Sequence, residues 1–225
     1  MAAREGQWSG PGHMNEVHIW WHKALFHLEL GQYDAALALY DGPIRSTQRP
    51  VALSLTNASA LLWRLDALGV DVGDRWGELA ALWEGHADGK CLVFGDIHAA
   101  MAELRSDQEA LVERRLKAMR ETAANGAEAA GLYRSVGIPI VEGLAAFHRG
   151  AYAEAVDLLL PVRFGLWQIG GSHAQRDVVD WTLTEAAVRA GQRDVALSLA
   201  HERLASRPRS APNRRFRHHA EAIAR

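Results

Sequence analysis

Apolar residues recur at spacings of three and four along almost the whole chain, the period of helices that bury one face. β-Branched runs bounded by tight-turn pairs are scarce, and the triplet Leu92–Phe94 is too short to make a sheet. The pattern therefore predicts an all-α protein. One local motif returns as LELGQYDAALALY, FHRGAYAEAVDLL and VRAGQRDVALSLA. In each, a helix runs into Gly31, Gly150 or Gly191, where a left-handed residue ends it. Five positions later stand Ala36, Ala155 and Ala196, where two crossing helices leave room only for a small side chain. The chain divides into five helical hairpins, over about 14–48, 50–87, 91–122, 132–165 and 172–206. The second and third read as degenerate copies with altered turns, and 123–137 as an irregular connection.

The glycine-to-alanine spacing resembles the tetratricopeptide repeat, a helix-turn-helix unit of about 34 residues. In the first copy the repeat's signature of alternating large, small and aromatic positions falls on Trp20, Ala24, Tyr33, Ala36 and Tyr40, with His27 where a tyrosine is usual. The last copy supplies Gly191, Ala196 and a terminating Pro208. A closer resemblance covers residues 15–213. HIWWHKALFHLELGQYDAALALYD, LLWRLDALGVDVGDRW, GDIHAAMA and GGSHAQRDV follow one another as in the C-terminal half of the tetratricopeptide repeat protein 38 family. This resemblance implies an α-solenoid of stacked antiparallel hairpins over 14–206, after a flexible lead over 1–13 and before a basic tail or short terminal helix over 207–225. It also implies that the first helix of each hairpin lines a concave groove, which places His18, Trp21, Leu25, Leu28 and Glu29 on the lining. Members of that family carry a further helical-repeat half ahead of the matching region. A stack that starts at this first hairpin is expected to expose Trp20, Trp21 and Phe26, which predicts a homodimer or a partner subunit at that end.

At about 100° per residue, His18, His22, Leu25 and Glu29 share one narrow face with Asn15 beside it, opposite Trp20, Ala24 and His27. A His-x3-His pair can hold one divalent metal through two imidazoles, with a carboxylate as third ligand; no other cofactor is expected. Hydrogen bonding to neighbouring helices is the plainer use of the pair. In GDIHAA, Asp96 and His98 point about 200° apart if both are helical. Asp96 then serves the helix dipole, whereas ahead of the helix it would orient His98 for acid–base chemistry. In GGSHAQRD, Ser172 and Gln175 fit a capping box. The amides of that helix start, with His173 and Arg176 in its first turn and Asp177 holding Arg176, form a candidate anion site. A capped helix with a surface ion pair is the alternative.

Composition narrows the functional classes. Hydrophobic residues make up 48% of the 225, charged residues 23%, and the net charge of -2 gives no electrostatic reason to expect nucleic acid. No apolar run reaches the ~18 residues of a spanning helix, so no membrane partner is expected. Cys91, the single cysteine, cannot form an intramolecular disulfide and has no nucleophile motif around it, which fits a cytoplasmic protein. Trp63, Trp76, Trp83, Trp167 and Trp181 fall on apolar stripes and read as core, and the basic run Asn213–His219 carries no assigned function. Two functions remain. One is a binding protein whose groove holds a partner peptide or protein, or a small anionic ligand. The other is an enzyme gathering His18, His22, Asp96, His98, His173, Arg176 and Asp177 for acid–base or metal-assisted chemistry on a small anionic substrate. Its catalytic candidates are His22, Asp96, His98 and His173, and it requires His22, His98 and His173 to meet within about 10 Å.

Overall fold

The computed structural model describes residues 16–45, 51–86, 88–89, 92–126 and 128–224. The lead expected over 1–13, Asn15 and Cys91 lie outside the described residues. Among the described residues there is no strand. The helices are α1 (Glu16–Glu29), α2 (Tyr33–Leu39), α3 (Ala52–Ala67), α4 (Arg75–Trp83), α5 (Val93–Arg105), α6 (Glu109–Ala124), α7 (Ala130–Leu132), α8 (Ile138–His148), α9 (Tyr152–Val162), α10 (His173–Arg189), α11 (Arg193–Ser206) and α12 (Ala211–Ala222). They pair as antiparallel hairpins α1/α2, α3/α4, α5/α6, α8/α9 and α10/α11, stacked in chain order.

All five first helices end the same way. Gly31, Gly69, Gly150 and Gly191 take positive φ, and α5 reaches the same conformation with Asp107 at φ 56. In each turn the amide two residues beyond the last helical turn bonds back five positions, as Gln32 does to His27, Val70 to Leu65, Gln108 to Glu103, Ala151 to Ala146 and Gln192 to Ala187. This is the Schellman closure, which satisfies the otherwise orphaned helix-end carbonyls. The second and third hairpins thus keep the same helix ends within turns that do differ from the other copies. Asp107 hides one because aspartate rarely adopts the left-handed region, and the other differs only in a longer run before α4. Ala36, Ala155 and Ala196 are fully buried where the paired helices cross.

The expected irregular connection at 123–137 is shorter than the sequence suggests. From Ala130 the chain is helical to His148, with a π-helical turn at Tyr133–Gly137 just before Pro139. Proline has no N–H and its ring crowds the preceding turn, so the widened turn lets the rod continue. The segment after α9 departs in the other direction. A tight 3-10 turn at Arg163–Ile169, with a period of three, puts Phe164 and Trp167 together on the outside, and Trp167 is 71% exposed rather than core. Trp63, Trp76, Trp83 and Trp181 are buried as expected.

The stack curls until its ends meet. α3 packs on α1 and α5, α5 on α8, and α10 returns to pack on α3; α12 lies on α11 and α10 and also reaches α1. α3, α5 and α10 are thus buried on nearly every side. Of the three residues expected on an open edge of the first hairpin, Trp20 is 8% and Trp21 0% exposed, and only Phe26, at 57%, is exposed. Among the described residues no helix is long and apolar enough to cross a membrane.

Candidate ligand-binding site

On the concave side a narrow polar seam, or cleft, is filled by the buried side chains of Trp21, Asn57, Arg64, Gln175, Asp177 and Arg203. α1 and α10 both pack on α3 but hardly on each other, so α3 forms a floor between two walls. From the α1 wall, His18 Nδ1 lies 3.3 Å from Asn57 Oδ1 on the floor, and His22 Nε2 lies 3.1 Å from His18 Nε2. An amide oxygen only accepts, so His18 donates from Nδ1 and keeps its Nε2 lone pair for the N–H of His22. From the α10 wall, Gln175 donates from Nε2 to the same Asn57 oxygen at 3.2 Å. Its own carbonyl accepts from the Ser172 amide at 2.8 Å, completing the capping box. One polar chain therefore runs His22, His18, Asn57, Gln175, Ser172 across three helices. Burial, with the neighbouring His18 charge, lowers the His22 pKa below its ordinary value.

Further along the cleft the charges gather. Arg203 donates to both oxygens of Asp177, at 2.9 and 3.2 Å. Arg207 donates to Asp177 at 2.6 Å and to Glu29 of α1 at 3.0 Å, closing the end of the cleft. Arg64 lies on the floor 3.7 Å from Asp177 and is anchored to the Ala60 and Ala174 carbonyls. Burial by itself would raise the Asp177 carboxyl; the charges of Arg203, Arg64 and Arg207 outweigh it and hold the group far below the usual carboxylate range. Burial pushes Arg64 down to about 10, which leaves it charged at neutral pH. Three guanidinium groups thus face two carboxylates. Among buried side-chain atoms, Trp21 Nε1, Asn57 Nδ2 and Glu29 Oε2 have no hydrogen-bond partner in the protein, although such groups are nearly always satisfied.

The sequence-derived candidates separate accordingly. His18, Trp21, His22, Glu29 and Asp177 all belong to this cleft. Asp96 does not: it lies inside α5, fully buried, and accepts from Arg115 at 2.6 Å, Tyr133 at 2.8 Å and the Gly89 amide at 2.8 Å. Burial raises its carboxyl pKa against these bonds. His98 packs its ring, tilted by 54°, against Phe94 at a centroid distance of 4.4 Å and donates from Nδ1 to the Phe94 carbonyl at 2.7 Å. Its Nε2 is buried without a partner. Asp96 and His98 therefore form no acid–base pair. The three histidines proposed to meet differ in burial: His173 is exposed, His22 is half-buried and His98 is 1% exposed. Arg176 is not held by Asp177; it caps the Gly170 and Gly171 carbonyls, while Asp177 turns inward to the arginines. Nor does the histidine pair find its third metal ligand. Glu29 is taken by Arg207, and among the described residues no group of three His, Cys, Asp or Glu comes together.

Asn57, Arg64, Arg203 and Arg207 were not singled out from the sequence. Arg64 left one signal there, a basic side chain inside the largely apolar run LLWRLDAL. The other three belong to the cleft only through contacts far along the chain.

His98 supplies a test of the burial. Its pKa is pushed down to about 4, by burial first and by the Arg64 charge as well. Above pH 6.5 it is neutral folded or unfolded; between 6.5 and 4 the unfolded chain takes up a proton that the folded one refuses. Stability is therefore lost as pH falls through this window, by about 3 kcal/mol for this group. Denaturant unfolding at pH 7 and pH 4.5 should show a distinctly smaller loss in His98→Leu than in the parent. Equal losses would mean that the imidazole is protonated in the folded protein.

No family model matches the chain, and no solved structure matches it.

Proposed function

We propose that this chain is a helical-repeat binding protein of the tetratricopeptide type, related to the tetratricopeptide repeat protein 38 family, and that the cleft between α1 and α10 holds a small anion. The observation that carries this reading is the excess of guanidinium groups at one end of the cleft, where Arg64 of α3 and Arg203 and Arg207 at the end of α11 face the two carboxylates Asp177 and Glu29. The unpartnered N–H groups of Trp21 and Asn57 add donors of the kind a carboxylate or phosphate takes up. The five equal helix ends and the buried alanines support the repeat type. A cytoplasmic protein is part of the reading, in keeping with one cysteine in 225 residues.

Asn57→Asp tests it. The new carboxylate still accepts from His18 and Gln175, so the relay is retained, but a donor becomes a negative charge. Calorimetric titration with inorganic phosphate and with succinate should show binding of at least one of them to the parent, weakened roughly tenfold or more in the variant. No binding of either by the parent, or equal binding by both proteins, would defeat the proposal.

The relay favours a second reading as an enzyme. His22 is half-buried, is shifted toward its neutral form and is oriented by His18, which Asn57 orients in turn, the arrangement of a general base. A screen over small anionic esters in which the parent and His22→Gln turn over equally would remove it.

A further inference from the structure

We infer that the other mouth of the closed stack carries a second ligand site, shaped for a carboxylate attached to a single flat ring. The first helices α3, α5, α8 and α10 all end here, around a cavity of about 150 Å³ that shares no lining residue with the α1–α10 cleft. That is the size of an engineered cavity known to admit benzene, or the volume of roughly five waters. Its walls are aromatic. Phe147 lies with its ring centroid 5.8 Å from Trp63 and 5.5 Å from Tyr152. The Arg189 guanidinium sits against both Phe147 and Tyr152, at 5.2 and 5.4 Å from their centroids.

Charge and hydrogen bonding give the polar half of the ligand. Arg105 and Arg189 line the cavity against one carboxylate, Asp66, and Asp66 is already bound by both Arg105 and the Trp76 N–H. Glu185, the partner of Arg189, is shared with Arg215, and Asp107 lies 3.9 Å from His148 at the rim. Cations at helix C-termini are stabilised by the helix dipoles, which accounts for the presence of the arginines. It does not account for their loosely used N–H groups. Arg105 Nη1 reaches only His148 Nδ1 at 3.5 Å, and Arg189 Nη1 reaches Tyr152 Oη at 3.3 Å. A carboxylate at the mouth takes these N–H groups in short charge-assisted bonds while its ring lies among the aromatic walls.

Benzoate is the probe, titrated into the full chain and followed by tryptophan fluorescence and calorimetry, with acetate as comparator. Saturable binding near a millimolar or tighter is expected, with acetate at least tenfold weaker because it lacks the ring. Arg189→Met and Tyr152→Ala should each weaken benzoate about tenfold or more, whereas Tyr152→Phe keeps the wall and should stay within about threefold of the parent. Asn57→Asp, in the other cleft, should leave benzoate binding unchanged, so the two sites succeed or fail separately. The inference is overturned by absence of saturation below about 20 mM. Equal affinity for acetate, or full affinity retained in folded Arg189→Met and Tyr152→Ala, also overturns it.

Discussion

Replacing Arg115 by methionine is expected to lower the unfolding free energy by about 3–5 kcal/mol, the cost of leaving buried charges without their partner. Arg115 donates from Nε and Nη2 to the two oxygens of Glu103 at 2.9 and 2.5 Å, and from Nη1 to Asp96 at 2.6 Å. All three side chains are buried. Asp96 also accepts from the Gly89 amide, and Thr122 donates to the Gly89 carbonyl, so the network pins the segment ahead of α5 to α6. Burial already raises the Asp96 carboxyl, and without the guanidinium that opposes this rise it takes up a proton in the folded state sooner than in the unfolded chain. The deficit of Arg115→Met should therefore shrink between pH 7 and pH 5. Urea unfolding at the two pH values measures this, and a deficit equal at both would rule out unpaired carboxylates as its source. Adding Asp96→Asn and Glu103→Gln to the variant should recover much of the loss, since neutral amides are far less costly to bury than unpaired charges.

Asp177→Asn is expected to cost a similar ~3–5 kcal/mol, but without a response to pH between 7 and 5. It leaves Arg64, Arg203 and Arg207 with Glu29 as their remaining carboxylate in the network. In the parent the Asp177 carboxyl is held far below the usual range, so its contribution is complete above the ordinary carboxylate pKa near 3.9 and is lost only as pH falls below that. The deficit should thus persist at pH 5, where that of Arg115→Met has begun to close. Phosphate at about 0.1 M should restore part of the stability, because an anion bound among three arginines favours the folded state by mass action. Denaturation midpoints with phosphate and with chloride at matched ionic strength separate this from general screening. Identical midpoints would mean that the arginines are not open to an anion.

The two networks were legible to different degrees. Asp96 stood out in GDIHAA as an acid in the first turn of a helix, which it is, but its partners Arg115 and Tyr133 lie 19 and 37 residues away and carry no local mark. Ser172 and Gln175 were readable as a capping box because that motif is complete within four residues. The further bond from Gln175 to Asn57 spans 118 residues and was not readable. Trp167 was misplaced as core because a period of 3.6 was carried past Pro161 into a segment that winds with a period of three.

By itself the sequence determined the helices, the turns at Gly31, Gly150 and Gly191, the small residues at helix crossings, and the shared face of His18, His22 and Glu29. These are consequences of short-range sterics and hydrogen bonds, so neighbouring residues suffice to specify them. Which polar groups meet across the centre was decided by the tertiary structure. The return of α10 onto α3 and of α12 onto α1 closes the stack and joins residues as distant as Glu29 and Arg207. Closure depends on small rotations accumulated over five hairpins, and no local pattern encodes their sum.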